Sequence, residues 1–110
     1  MEDRIISVGG KEYILTPTFS NLKRLEMRLR EKFMKTASRL ATQNYGVEDI
    51  ATILYCLIDP DEKINFDKFA EDIFKDGFNN YFVTIVEIFE SIMNAGSKEE
   101  SEGKETGNGK

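Results

Sequence analysis

Apolar residues recur along this chain in two different rhythms, and the change from one to the other comes at Pro17. Before it stand two short apolar runs, Ile5-Ile6-Ser7-Val8 and Tyr13-Ile14-Leu15, on either side of Gly9-Gly10. Tight turns that match strand twist need positive φ, which a residue without Cβ adopts at little cost, so the pattern predicts a β-hairpin over 4–16. Pro17 presets φ and lacks an N–H, which ends the second strand. Thr18 or Ser20 then supplies a hydroxyl to cap a helix.

After Pro17 the apolar positions recur at steps of three and four. Phe19, Leu22, Leu25, Leu29 and Phe33 form one stripe, predicting a helix from about 18 to about 33. Ala37, Leu40 and Ala41 continue it to about 42, as the same helix bent or as a separate short one. Gly46 reads as the stop for what precedes, and Glu48 and Asp49 as the first turn of a helix over about 47–58 that buries Ile50, Ala51, Ile53, Leu54, Leu57 and Ile58. Asp59-Pro60-Asp61-Glu62-Lys63 is a polar turn. The next helix begins near Asn65 or Asp67, stops near Gly77, and buries Phe66, Phe69, Ala70, Ile73 and Phe74. The segment Tyr81–Met93 is apolar around most of its circumference and is expected to be the central helix of the core. The fold class expected is mainly α (α+β), an N-terminal β-hairpin followed by a bundle of four to five helices. It forms one domain over 1–96, with the helical body at 18–95. Residues 97–110 contain no hydrophobic side chain and read as a disordered polar tail.

Composition narrows the function classes. With 110 residues, 40% of them hydrophobic, the chain can bury one core. The charged opening Met1-Glu2-Asp3-Arg4 and the lack of a long uncharged apolar stretch point to a cytoplasmic protein with no membrane span. Histidine is absent, which removes the usual neutral-pH base and the commonest metal ligand. No Gly-rich phosphate loop, nucleophile elbow or metal-ligand spacing is present, so no enzyme, catalytic residue, metal, cofactor or small-molecule substrate is expected. The stretch from Asp59 to Phe69 imitates a calcium loop, but Ile64 stands where glycine must turn and Ala70 where a glutamate should close the site. Cys56, the single cysteine, falls in a helical apolar pattern and reads as a small core residue.

Charge is uneven. Between Lys23 and Arg39 seven bases (Lys23, Arg24, Arg28, Arg30, Lys32, Lys35, Arg39) face two acids, while the whole chain carries a net charge of −5. The first helix is thus a basic rod on an acidic protein, either a solvated face balanced by the acidic half or a docking face. Lys23, Arg24, Arg28, Arg30 and Lys35 are the candidate partner contacts on it. Nucleic acid ranks below an acidic protein as its partner, because the overall charge is negative and no helix-turn-helix is apparent. Aromatics crowd the last third of the fold, and Phe78 and Tyr81, in a connecting turn, are the ones expected to face a partner.

The order of hairpin, Pro-Thr-Phe, a Leu-x-x-Leu-Glu helix and a Glu-Asp-Ile-Ala-Thr-Ile-Leu helix resembles the small tail assembly chaperones of long-tailed phages, closest to the group that includes the gene transfer agent tail proteins. Gly9-Gly10-Lys11-Glu12-Tyr13, Phe19, Leu22, Leu25-Glu26, Val47-Glu48-Asp49-Ile50-Ala51 and the segment from Asp72-Ile73 to Gly77 carry the likeness. The resemblance implies a phage or prophage protein in the bacterial host cytoplasm that binds the tape measure protein, keeps it soluble and helps recruit tail tube protein, without catalysis. The alternative is a helical regulatory adaptor of a mobile element, binding another protein or, less favoured, nucleic acid through Arg24, Arg28 and Lys35. A two-stranded hairpin is marginal alone, so it must pack on the helices or pair with another copy as a homo-oligomer.

Overall fold

A computed structural model of the chain describes residues 3–104, with side chains described for residues 3–95. An antiparallel hairpin, β1 (Arg4–Val8) and β2 (Lys11–Leu15), leads into five helices: α1 (Phe19–Leu29), α2 (Phe33–Ala41), α3 (Val47–Leu57), α4 (Phe66–Asp76) and α5 (Phe82–Lys104). A 3₁₀ turn, Phe78–Tyr81, joins the last two. The mainly helical α+β class is therefore as expected. Of the polar tail expected to be disordered over 97–110, residues 97–104 continue α5 and residues 105–110 lie outside those described.

The hairpin turn has φ of 59° at Gly9 and 83° at Gly10, and pairs Val8 with Lys11 and Ile5 with Ile14. Alternation sends Ile6, Val8 and Leu15 into the core and leaves Ile5 and Ile14 outside. The hairpin does not stand free, because its tip is fastened to α4. The Gly9 N–H donates to Asp76 Oδ2 at 2.9 Å, and the Tyr81 hydroxyl lies 2.9 Å from Ser7 O and 3.0 Å from the same Asp76 oxygen.

The central helix is α3, not α5. It buries Ile50, Ala51, Thr52, Ile53, Leu54, Cys56 and Leu57 and touches α1, α4 and α5, whereas α5 buries Ile85, Ile88 and Phe89 and leaves Val83 exposed. The apolar circumference of α5 misled because part of it lies open on the surface.

The first stripe is two helices, with Arg30 in the left-handed region between them at φ 56°. Glu26 makes the break: its carboxylate accepts from the Phe33 N–H at 2.8 Å and so caps the start of α2. Phe19, expected inside, is 80% exposed. Buried Asn21 defines the inward face of α1, which turns the Phe19 position out towards water. Phe74 is likewise exposed, one helical step beyond the edge of the buried Phe69–Ile73 face. Gly46 is the N-cap of α3 in extended backbone and does not stop α2, a task that falls to Gln43 at φ 60°. The remaining boundaries follow expectation: Thr18 caps α1, Asn65 caps α4 and Gly77 ends it.

The two hairpin glycines separate conformational from steric cost. A Cβ at Gly9 would stand 2.5 Å from Asp72 Oδ2 and 3.1 Å from Asp72 Cβ, whereas one at Gly10 meets open space. Urea denaturation followed by far-UV circular dichroism is expected to show Gly9→Ala destabilised by about 2–3 kcal/mol and Gly10→Ala by about 1 kcal/mol. Equal costs would mean that the turn is not seated on α4.

Candidate partner-binding surfaces

The basic run divides into cations that the fold uses and cations that it leaves free. Arg24 is half-buried, and its Nη2 donates to the carbonyls of Cys56 at 3.1 Å, Tyr55 at 3.4 Å and Ile58 at 3.5 Å. These lie where α3 ends, and Asn21 Nδ2 reaches Leu57 O beside them at 3.4 Å. Arg28 is stacked over Phe66 and Tyr55, 4.5 and 4.9 Å from their ring centroids. Arg39 is clamped by Glu31, with both distances 2.7 Å, and by Asp49 at 3.1 Å. The Arg39 bonds hold the Glu31 carboxyl below its ordinary range, with Thr36 adding to the effect.

Lys23, Arg30, Lys32 and Lys35 are exposed and have no ion partner among the described residues. Of the expected basic contacts, the structure therefore leaves Lys23, Arg30 and Lys35 to solvent, turns Arg24 to capping α3 and lays Arg28 on an aromatic pair. The aromatic pair of candidates also separates. Tyr81 is buried, with burial and then Asp76 pushing its hydroxyl pKa up, so it faces Ser7 and not a partner. Phe78 is half-buried against the core.

Sequence reasoning passed over a different surface. Between α2 and α5 runs an open groove of about 290 Å³, lined by Met34, Ala37, Ser38, Leu40, Ala41, Val86, Phe89, Glu90 and Met93. Phe89 lines it and packs against Phe33, with ring centroids 4.7 Å apart, and Tyr45 stacked on Phe82 at 5.1 Å ties the α2–α3 connection to α5. Met34 and Met93 stand exposed at 61% and 43%. Met34, Ala37, Ser38 and Ala41 recur at helical spacing, the signal that could have found it, but small residues read as neutral in a sequence. On the far side of α2, Arg30, Lys32 and Lys35 rim a second hollow, whose acids Glu26, Glu31 and Asp49 are already engaged.

Residues 4–95 match the family model described as phage tail tube protein, GTA-gp10. The chain belongs to this phage tail protein family. No curated protein and no solved structure matches it. In this tail protein no group of three or more Cys, Asp or Glu converges as a metal ion requires among the described residues. No helix among them is long and apolar enough to cross a membrane. Cys56 is buried, and burial pushes its thiol pKa up, which disfavours the reactive thiolate.

The arrangement makes two predictions. Arg24→Met keeps the apolar stem but strips the α3 carbonyls of a charged donor, so it is expected to cost about 1–2 kcal/mol in urea denaturation, while Lys23→Ala changes stability by less than about 0.5 kcal/mol. A comparable loss for Lys23→Ala would contradict the division between used and free cations. The second concerns acid. The Gly9 N–H and then the Tyr81 hydroxyl hold the Asp76 carboxyl below its ordinary range. A group with a depressed folded pKa stabilises fully above its unfolded value and loses that contribution as pH falls through the folded one. With no histidine, stability should stay nearly level from about pH 6 to 8 and fall below about pH 4, with a shallower acid limb in Asp76→Asn, as followed by thermal melts.

Proposed function

We propose that this tail protein acts without catalysis as a tail assembly chaperone, binding amphipathic helical segments of the tape measure protein and helping to bring tail tube protein to them. The observation that carries the reading is the apolar groove between α2 and α5, open, lined by two exposed methionines and by small side chains that let a helix approach closely. Methionine adapts its shape to many apolar surfaces, which suits repeated binding along a long helical protein whose segments differ. Helix-in-groove docking needs only an apolar stripe on the partner, and the groove offers facing walls for one. Membership of a phage tail family supplies the setting. The family description favours a second reading, a structural subunit of the tube itself.

Co-expression with the tape measure protein of the same element, followed by light scattering on the eluted material, separates these readings. The tape measure protein is expected to become soluble and co-elute with several copies of this chain. Ala41→Glu, which puts a charge in the groove at an exposed position, should abolish co-elution without unfolding the chain. Spontaneous assembly of the chain into tubes, with no effect on tape measure solubility, would favour the structural reading. A tape measure protein left insoluble while this chain elutes alone would favour the regulatory adaptor.

A further inference from the structure

The charges beside the groove are asymmetric. On α2 the groove face carries Met34, Ala37, Ser38 and Ala41, none of them charged. Lys35 sits on the adjoining shoulder, beside Met34 and within one turn of Ser38, and rims the hollow on the other side of the same helix with Arg30 and Lys32. All three cations are exposed and without an ion partner among the described residues, because the acids around them cap α2 or clamp Arg39. On the opposite wall Glu90 lines the groove, exposed and also without an ion partner among the described residues. Its neighbour Glu87 is held by Arg4. The unpaired charge is therefore positive at the start of α2, at Arg30, Lys32 and Lys35, and negative on α5 at Glu90.

We propose that the groove selects a partner helix that is acidic on one flank of its apolar stripe and basic on the other, and that this charge pattern sets the direction in which the helix lies. The proposal rests on the reading of the groove as a helix-docking site and adds the chemistry of its occupant. A helix laid in a groove can point either way, and reversing it exchanges its flanks. Apolar contacts alone scarcely distinguish the two directions. Acidic side chains over Lys35 and basic ones over Glu90 are satisfied in only one of them, and a helix basic on both flanks meets repulsion along α2 in either. Such exposed pairs are individually weak and screened by salt, so they choose among helices that the apolar floor already holds.

Three labelled helical peptides with the same apolar stripe test this by fluorescence anisotropy: one acidic on one flank and basic on the other, one acidic on both, one basic on both. The mixed peptide is expected to bind about tenfold tighter than the basic one at low salt, with the gap closing in high salt. In the double variant Lys32→Glu/Lys35→Glu both walls become acidic, and the order should invert in favour of the basic peptide. Equal binding of all three would overturn the charge inference and leave groove docking standing. Failure of all three to bind would remove the docking reading beneath it. Dimerisation of the free chain, seen by light scattering and abolished by Ala41→Glu, would make a second copy the occupant and overturn the proposal as well.

Discussion

The rest of the fold depends on the carbonyl groups at the end of α3. This helix is buried along most of its length, yet it ends at Leu57 with no glycine behind it and runs in extended backbone towards Pro60. The last carbonyls of a helix have no intrahelical partner, and in a buried place each one left unpaired costs about 1–3 kcal/mol. Apart from the Ile58 N–H, which turns back to Tyr55 O at 3.3 Å, the donors come from elsewhere in the chain. The Thr16 N–H reaches Leu57 O at 2.8 Å, Asn21 joins it, and Arg24 covers Tyr55, Cys56 and Ile58. Supplying those donors places the end of β2 against Ile58 and the start of α1 across the same point. α1 then runs back along α3, so that Arg39 of α2 donates both to Glu31, just past the end of α1, and to Asp49 in the first turn of α3.

Two further fastenings complete the frame. Asp76 gathers the hairpin tip and Tyr81, which shields the β1 edge at Ser7 and spares the two-stranded sheet from standing alone. Arg39 gathers Glu31, Asp49 and the Asn44 carbonyl into one corner. α2 is thus held on its inner side by Thr36, Leu40 and Phe33 and at its end by Arg39, while its outer faces make few demands on the fold. Surfaces that the fold does not need are free to carry recognition. The apolar groove lies on one of them, and the unpaired Lys35, with Arg30 and Lys32 just before the helix, on the other.

The division between what could and could not be read beforehand follows from the range of the interactions involved. Local rules act over a few residues. Paired glycines before a proline, Thr18 and Asn65 as caps, Gly77 as a stop and the apolar run of α3 were therefore legible, and with them the α+β class and the hairpin-first order. The candidate surface was legible only in part. A basic run is visible as composition, but which of its members remain free depends on whether a carbonyl, a carboxylate or an aromatic ring comes within reach from a distant segment.

Element type, order and mean charge can be read along the chain, because propensity, capping and hydrophobic period are properties of neighbouring residues. Tertiary structure alone decided that Asn21 turns inward and Phe19 outward, that α3 and not α5 is central, that Tyr81 is a buried fastener, and that a groove remains between α2 and α5. Asn21 and Tyr81 are settled by where a polar group finds its partner across the fold, α3 and the groove by how apolar faces pack, and neither kind of long-range contact leaves a local trace in the sequence.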